Sequence, residues 1–550
     1  MKALCSLKRW QPMIVAAALV AGMWIGFIFA GGDEMTPSQQ KLNRIFSIID
    51  EQYVDEIEPD SLVELTIPFL IQSLDPHSQY IAAADIEKAN QELQSSFSGI
   101  GVQFYIMSDT ICVVEVISGG PSDKVGLEPG DRIIAVDGRK VAGVGFTNDD
   151  VLNTLRGPSG SRVQLTIKRP SVAKTIGYTI TRSDIPSPSV NAHYLTENNM
   201  GYIKLSKFAE ATYVEFLQSA MDLLHRGAQG LIIDLRGNGG GFMEPALMVA
   251  NEFLSPGQPI IETRGRNVKD NENWLADGTG ALHDVPVAVL IDELSASASE
   301  ILSGALQDND RGIIIGRRSF GKGLVQRIIQ LPDSSELKLT VQRYYTPSGR
   351  CIQKNFKRGE NVNYENEVID RYYNGETFNA DSVKFDESLL FHTAGGRTVY
   401  GGGGIMPDVF VPSDTIGVTS YYMNVVNADL LQNFAFEYAD LNRADHTKAK
   451  TVGQLLRRLP SDGLLLSSFV YYASQKGVPA RWYYINISRT LIVNQLKAII
   501  ARNILGWNAF YEVLNSHDPV VLEAIKQLHA GTDPLTLDAM KDIKKAQSKK

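Results

Sequence analysis

Val285-Pro286-Val287-Ala288-Val289-Leu290-Ile291, then Ser295-Ala296-Ser297-Ala298-Ser299-Glu300 and Ile301-Leu302-Ser303-Gly304-Ala305-Leu306, is the stretch that decides the fold. An apolar strand-like run turns through a serine-rich elbow into a helix-like run, the connection expected of an α/β core. A serine at such an elbow can present its hydroxyl at the edge of a sheet, beside free helix N-terminal amides that can receive an oxyanion. It needs a base. Further along, Phe320-Gly321-Lys322-Gly323-Leu324-Val325-Gln326 offers a lysine between two glycines, with a glutamine four residues on. That spacing puts both side chains on one face of either a helix or a strand. Together the two runs read as a serine-lysine hydrolase.

Each run alone has a plainer reading. Ser297-x-x-Glu300 is also a capping box, contributing about 1 kcal/mol of stability and no chemistry. An isolated lysine is ordinarily a solvated surface charge. The setting of Lys322 argues otherwise, because Gly321 and Gly323 remove bulk around it and the apolar Leu324, Val325, Ile328 and Ile329 follow at once. A lysine drawn into such a partly dry site loses pKa and can accept a proton. None of the eight histidines lies in a motif that makes it a base or a ligand. Ser319-x-x-Lys322 matches a penicillin-binding pattern, but the S-D-N and K-T-G elements that go with it are missing from the sequence.

The two runs resemble the signature of the carboxyl-terminal processing peptidases, or tail-specific proteases. The resemblance extends from about Pro37 to Asp414 and includes Leu74-Asp75-Pro76-His77-Ser78-Gln79-Tyr80, Asp234-Leu235-Arg236-Gly237-Asn238-Gly239-Gly240-Gly241, Tyr345-Thr346-Pro347-Ser348-Gly349-Arg350 and Gly404-Ile405-Met406-Pro407-Asp408. It implies that Ser297 is the nucleophile, that Lys322, twenty-five residues later, is the base, and that Gln326 orients the lysine. It also implies an oxyanion hole from the Gly240 and Ala298 amides, with no metal and no organic cofactor. The family usually has proline where Gly239 stands. Asp308 matches an acidic family position and is expected to be structural, as is His77 in the Asp75-Pro76 turn.

The expected architecture is multidomain α/β. Residues 1–32 form a signal-anchor or transmembrane segment and 33–89 a helical region, with Leu42, Ile45, Phe46, Ile49 and Tyr53 at helical spacing. Residues 90–183 form a PDZ domain, and 184–420 a peptidase core related to crotonase-like folds, with an insertion at about 355–400. Residues 421–550 form a helical C-terminal region. In the PDZ-like stretch, Phe97-Ser98-Gly99-Ile100-Gly101-Val102 resembles a carboxylate loop, so Gly99, Ile100, Gly101 and Val102 are expected to hold a substrate's C-terminus.

Lys2, Lys8 and Arg9 precede Met13 to Ala30, eighteen residues without a charge, which reads as an uncleaved membrane anchor placing the catalytic domains on the periplasmic or extracytoplasmic side. A composition of 44% hydrophobic and 21% charged residues supports sizeable cores, and a net charge of −9 implies no nucleic-acid partner. Cys112 and Cys351 fall in different expected domains and show no disulfide framework. The expected partners are therefore protein or peptide substrates with free C-termini, the membrane, and a second copy or an adaptor on the helical regions. The expected function is a Ser-Lys serine endopeptidase that cleaves protein C-terminal regions captured by the PDZ domain. A catalytically silent PDZ scaffold and an acyl-CoA-handling enzyme are the alternatives. The first has no use for an intact Ser297, Lys322 and Gln326 set, and the second none for a PDZ domain or an anchor.

Overall fold

The computed structural model describes residues 36–90, 95–358 and 361–537. The apolar run Met13–Ala30 lies outside them; among the described residues no helix is long and apolar enough to cross a membrane. The chain up to Ile71 is a separate unit of two helices, α1 (Pro37–Gln52) and α2 (Pro59–Gln72). Thr36 and Gln39 start α1 with a capping box, the Thr36 amide donating to Gln39 Oε1 at 2.7 Å.

The second unit, Gln72 onward, opens with a strand, β1 (Gln79–Ile81), inside the stretch expected to be helical. The PDZ domain follows: β2 (Ser96–Gly99), β3 (Val102–Met107), β4 (Thr110–Val116), β5 (Arg132–Val136), α3 (Asn148–Leu155), β6 (Arg162–Lys168), β7 (Ile176–Thr181) and β8 (Ser183–Pro186). Val163, Leu165 and Ile167 alternate inward along β6 and close a core with Ile111, Val113 and Ile133. The sheet runs β3-β4-β5-β6-β7, so β3 is an edge strand, while β2 and β8 pair separately.

The α/β core holds two sheets. In the first, β9 (Val190–Leu195) pairs antiparallel with β10 (Gly201–Leu205). Parallel strands β11 (Leu231–Asp234), β14 (Val287–Ile291), β15 (Ile313–Gly316) and β20 (Val409–Phe410) follow in that order. In the second, β1, β17 (Glu336–Tyr345), β12 (Pro259–Gly265) and β13 (Glu272–Leu275) lie in order, with β16 (Leu324–Gln330) also on β17. Both faces of the parallel strands are buried, which is why their sequences are unbroken apolar runs. Ile233, Val289 and Ile291 join one cluster beneath helices α4 (Thr212–His225), α5 (Met243–Asn251) and α6 (Ala298–Asp308). Ile232, Ala288 and Leu290 face the other way, onto Val520, Val521, Ala524 and Leu528 of the helix Pro519–His529.

The stretch expected as an insertion forms a helix, α7 (Asn361–Tyr373), and a short hairpin, β18 (Leu390–His392) with β19 (Thr398–Tyr400). The C-terminal region is helical as expected and has its own core, from Tyr421 and Phe434 through Phe469 to Ile500. It also grips the PDZ domain: Phe436 packs with Met107, Cys112 and Val114, Arg132 pairs with Asp440 at 3.1 Å, and Arg502 bonds the Tyr105 hydroxyl at 3.1 Å. Cys112 and Cys351 are both free.

Candidate active site

Ser297 sits where β14 turns into α6, with φ +58° and ψ −115°. A non-glycine residue held there costs about 1–3 kcal/mol, a strain that the surroundings must enforce. Glu300 enforces it. Its fully buried carboxylate accepts from the Ser297 amide at 2.9 Å, the Lys322 amide at 2.8 Å, the Gly321 amide at 2.7 Å and the Ser319 hydroxyl at 2.5 Å. Burial pushes the Glu300 carboxyl upward, against these hydrogen bonds. Tyr344, also buried, donates to the Lys322 carbonyl at 2.6 Å and the Ser297 carbonyl at 3.1 Å.

The three elbow serines differ sharply. Ser295 is buried and donates to the Leu235 carbonyl at 2.9 Å; Ser299 is buried and donates to the Asn238 carbonyl at 2.9 Å. Ser297 is only half-buried and lines an open cleft. Ser319 is buried between Glu300 and the Ile405 amide, which removes it as a nucleophile.

Lys322 Nζ donates to Gln326 Oε1 at 3.0 Å, and Gln326 Nε2 donates to the His77 carbonyl at 2.5 Å. Gly323 is required beside it, since a methyl group there would stand 2.9 Å from the Gln353 amide. Burial, with a smaller contribution from Lys338, brings the Lys322 ammonium down to about 8, against the opposing charges of Glu300 and Asp75. Ser297 and Lys322 line one cleft without a direct hydrogen bond, a common resting geometry for a base and its nucleophile.

His77 does more than pack its turn. Its amide and that of Ser78 donate to Asp75 Oδ1, each at 2.8 Å, which fixes the carbonyl that Gln326 uses. Its Nε2 meets the Tyr364 hydroxyl of α7 at 2.7 Å. Burial, then the Lys322 charge, lowers the imidazole to about 4, so the ring is neutral at pH 7. The same helix braces the approach to Lys322, with Arg371 donating to the Ser319 carbonyl at 2.7 Å and the Phe320 carbonyl at 3.0 Å.

The expected oxyanion donors meet at the elbow. Gly240 does lie against the elbow: a methyl group on it would stand 2.7 Å from Ser297 Cβ and 3.0 Å from the Ala298 nitrogen. Its amide, however, is donated to Asn238 Oδ1 at 2.9 Å, because the buried Asn238 side chain folds back inside the turn. Among the described residues the Ala298 and Gly241 amides have no acceptor. Asp308 is structural, pairing at 2.7 Å with the fully buried Arg350.

The cleft, about 840 Å³, runs from these residues to the PDZ domain, whose Phe97, Leu152 and Arg156 form part of its wall. In the PDZ loop the Ile100 and Gly101 amides have no acceptor among the described residues, while Gly99 ends β2 and Val102 begins β3. Glu300, Tyr344, Lys338 and the His77 carbonyl are the site groups that motif reading missed. A register shift in β17 between Thr340 and Gln342 interrupts the period of two, so strand alternation gave no signal for Lys338 and Tyr344.

Peptidase family S41 matches residues 199–361, a PDZ domain 112–169, and a family of unknown function, DUF8443, 421–506. The carboxy-terminal-processing protease of Bartonella bacilliformis is 37% identical over 313 residues, covering 56% of this chain and 71% of that protein. The carboxy-terminal processing protease CtpB of Bacillus subtilis is 34% identical over 324 residues, covering 58% and 67%. Among solved structures, the photosystem II D1 C-terminal processing protease is 27% identical, with a TM-score of 0.33, over 58% of this chain and 91% of that one.

Proposed function

The chain belongs to the carboxyl-terminal processing peptidases, serine proteases of peptidase family S41, and from that premise we propose that it cuts protein tails with a Ser297-Lys322 pair after its PDZ domain has captured them. The observation that carries the pair is the contrast among the serines. Of the three elbow serines only Ser297 lines the cleft, and Lys322, held by Gln326, lines the same cleft.

Neutral Lys322 takes the Ser297 proton as Oγ attacks the scissile carbonyl, and the tetrahedral oxyanion is held by the Ala298 amide and the adjacent glycine turn. The lysine ammonium then protonates the leaving amine, giving an ester on Ser297. Water, losing a proton to Lys322, hydrolyses that ester and releases the carboxylate product. Gln326 keeps the amine aimed, and a donor of this kind in the oxyanion hole is worth about 3 kcal/mol to the transition state.

The free Ile100 and Gly101 amides suit a terminal carboxylate, and the open edge of β3 suits an added substrate strand. The charge-free run after Lys2, Lys8 and Arg9 supports an anchored enzyme acting outside the cytoplasm. The test is fluorophosphonate labelling of the full chain with peptide mapping, run beside cleavage of one unstructured peptide as free acid and as amide. Label on Ser297, loss of cleavage in Ser297→Ala, and roughly ten- to a hundredfold weaker capture of the amide are expected. Label on another serine overturns the pair, and equal handling of the two peptides overturns tail capture.

A further inference from the structure

The cleft around Ser297 is cationic in an acidic protein. Arg156, Lys207, Lys322 and Lys338 line it with no Asp or Glu among the lining residues, whereas the whole chain carries −9. We propose that the cleft selects tails bearing an acidic side chain close to the scissile bond, and that Lys338 is the specificity-determining group that receives it. The inference rests on the protease reading above and names its substrate class.

Three of the four cations are already engaged. Lys322 donates to Gln326, Lys207 donates to Ser187 Oγ at 2.8 Å, and Arg156 stacks over the Phe97 ring at 4.9 Å. Lys338 has no hydrogen bond and no ion pair among the described residues, although it is half-buried. Its place is fixed by β17, where it stands opposite Ile328 of β16 and Gln79 of β1, and it lines the same cleft as Ser297, Lys322 and Tyr344. Burial holds its ammonium below the ordinary lysine range, as expected of a cation without a counter-charge.

A substrate entering the cleft strips the remaining water from Lys338. A neutral segment leaves an unpaired buried charge, which is costly, whereas a carboxylate replaces the lost hydration with a charge-assisted hydrogen bond. The same field draws acidic segments toward the site, an effect that weakens with salt. The carboxylate is assigned to a side chain because Lys338 lines the cleft together with Ser297 and Lys322, whereas a terminal carboxylate has the Ile100 and Gly101 amides to receive it.

The experiment uses the full chain and a neutral unstructured peptide in which one Glu, Gln or Lys is walked through the residues flanking the cleaved bond. Each peptide is made as free acid and as amide. At one position or more, kcat/KM should favour Glu over Gln by about tenfold, with Lys lower still, and the ratio should shrink as salt rises. Lys338→Glu should invert the Glu-to-Lys ratio, and because the ratio is read within one variant, any effect on Lys322 cancels. Equal ratios at every position, an unchanged ratio in Lys338→Glu, or a preference that disappears on amidation overturns the inference while leaving the protease standing. No cleavage of any peptide, with Ser297 unlabelled by fluorophosphonate, overturns the protease reading and this inference with it.

Discussion

Replacing Lys322 by methionine should abolish cleavage and, at neutral pH, make the protein harder to unfold. Burial brings this lysine from an ordinary value near 10.4 to about 8. A displacement of that size corresponds to roughly 3 kcal/mol by which the folded chain disfavours the ammonium. The folded value lies below the unfolded one, so the penalty is full below about pH 8, shrinks between 8 and about 10.4, and vanishes above. Methionine removes the penalty but leaves Gln326 Oε1 without its donor, at a cost of about 1–2 kcal/mol. The variant should therefore gain about 1–2 kcal/mol at pH 7 and lose a similar amount near pH 10.5. Urea unfolding of wild type and variant at several pH values measures the difference. In the wild type, about a tenth of Lys322 is neutral at pH 7, so kcat/KM should rise about tenfold to a plateau above pH 9. A variant that is less stable than wild type by the same amount at every pH, or a rate flat from pH 7 to 9, would refute a desolvated lysine base.

Ser295→Ala and Ser299→Ala should each cost about 1 kcal/mol in unfolding measurements, since each loses one buried hydrogen bond while the Leu235 and Asn238 carbonyls keep a backbone donor, and fluorophosphonate should still label Ser297. Glu300→Gln turns an amide group toward N–H donors in either orientation, so stability should fall by about 2–3 kcal/mol and kcat should fall far more than KM rises. Tyr364→Phe removes the hydroxyl that holds His77 Nε2 and should lower kcat several-fold, at a stability cost of about 1 kcal/mol, with KM nearly unchanged.

The elbow was legible because its chemistry and its fold use the same residues. Val287–Ile291 is apolar at every position since both sides of the strand are covered, and the serines begin where the strand ends. The PDZ strands were legible through inward alternation such as Val163, Leu165 and Ile167. β1 was not, being three residues long and stabilised only by its pairing with Glu336–Lys338, far away in sequence. The role of α7 was hidden for the same reason: Glu367 and Arg371 find Arg318, Lys354 and the Ser319 carbonyl, contacts that leave no periodic trace. Glu300 looked like a cap because S-x-x-E is a cap; its further bonds to Gly321 and Lys322 exist only in three dimensions. The direction of the Gly240 amide depends on the rotamer of Asn238, which no spacing encodes.

Glu300 and Tyr344 each bond the backbone of both Ser297 and Lys322. The residues proposed as nucleophile and base therefore ride on one block. The Lys322 side chain is itself half-buried and held by Gln326, so its amine is restrained as well. A lid or domain motion, which ordinarily takes microseconds to milliseconds, would reach this block through the wall supplied by Phe97, Leu152 and Arg156. That wall belongs to a PDZ domain held to the C-terminal helices through Asp440 and Arg502, so a shift of those helices would be felt at the mouth of the cleft.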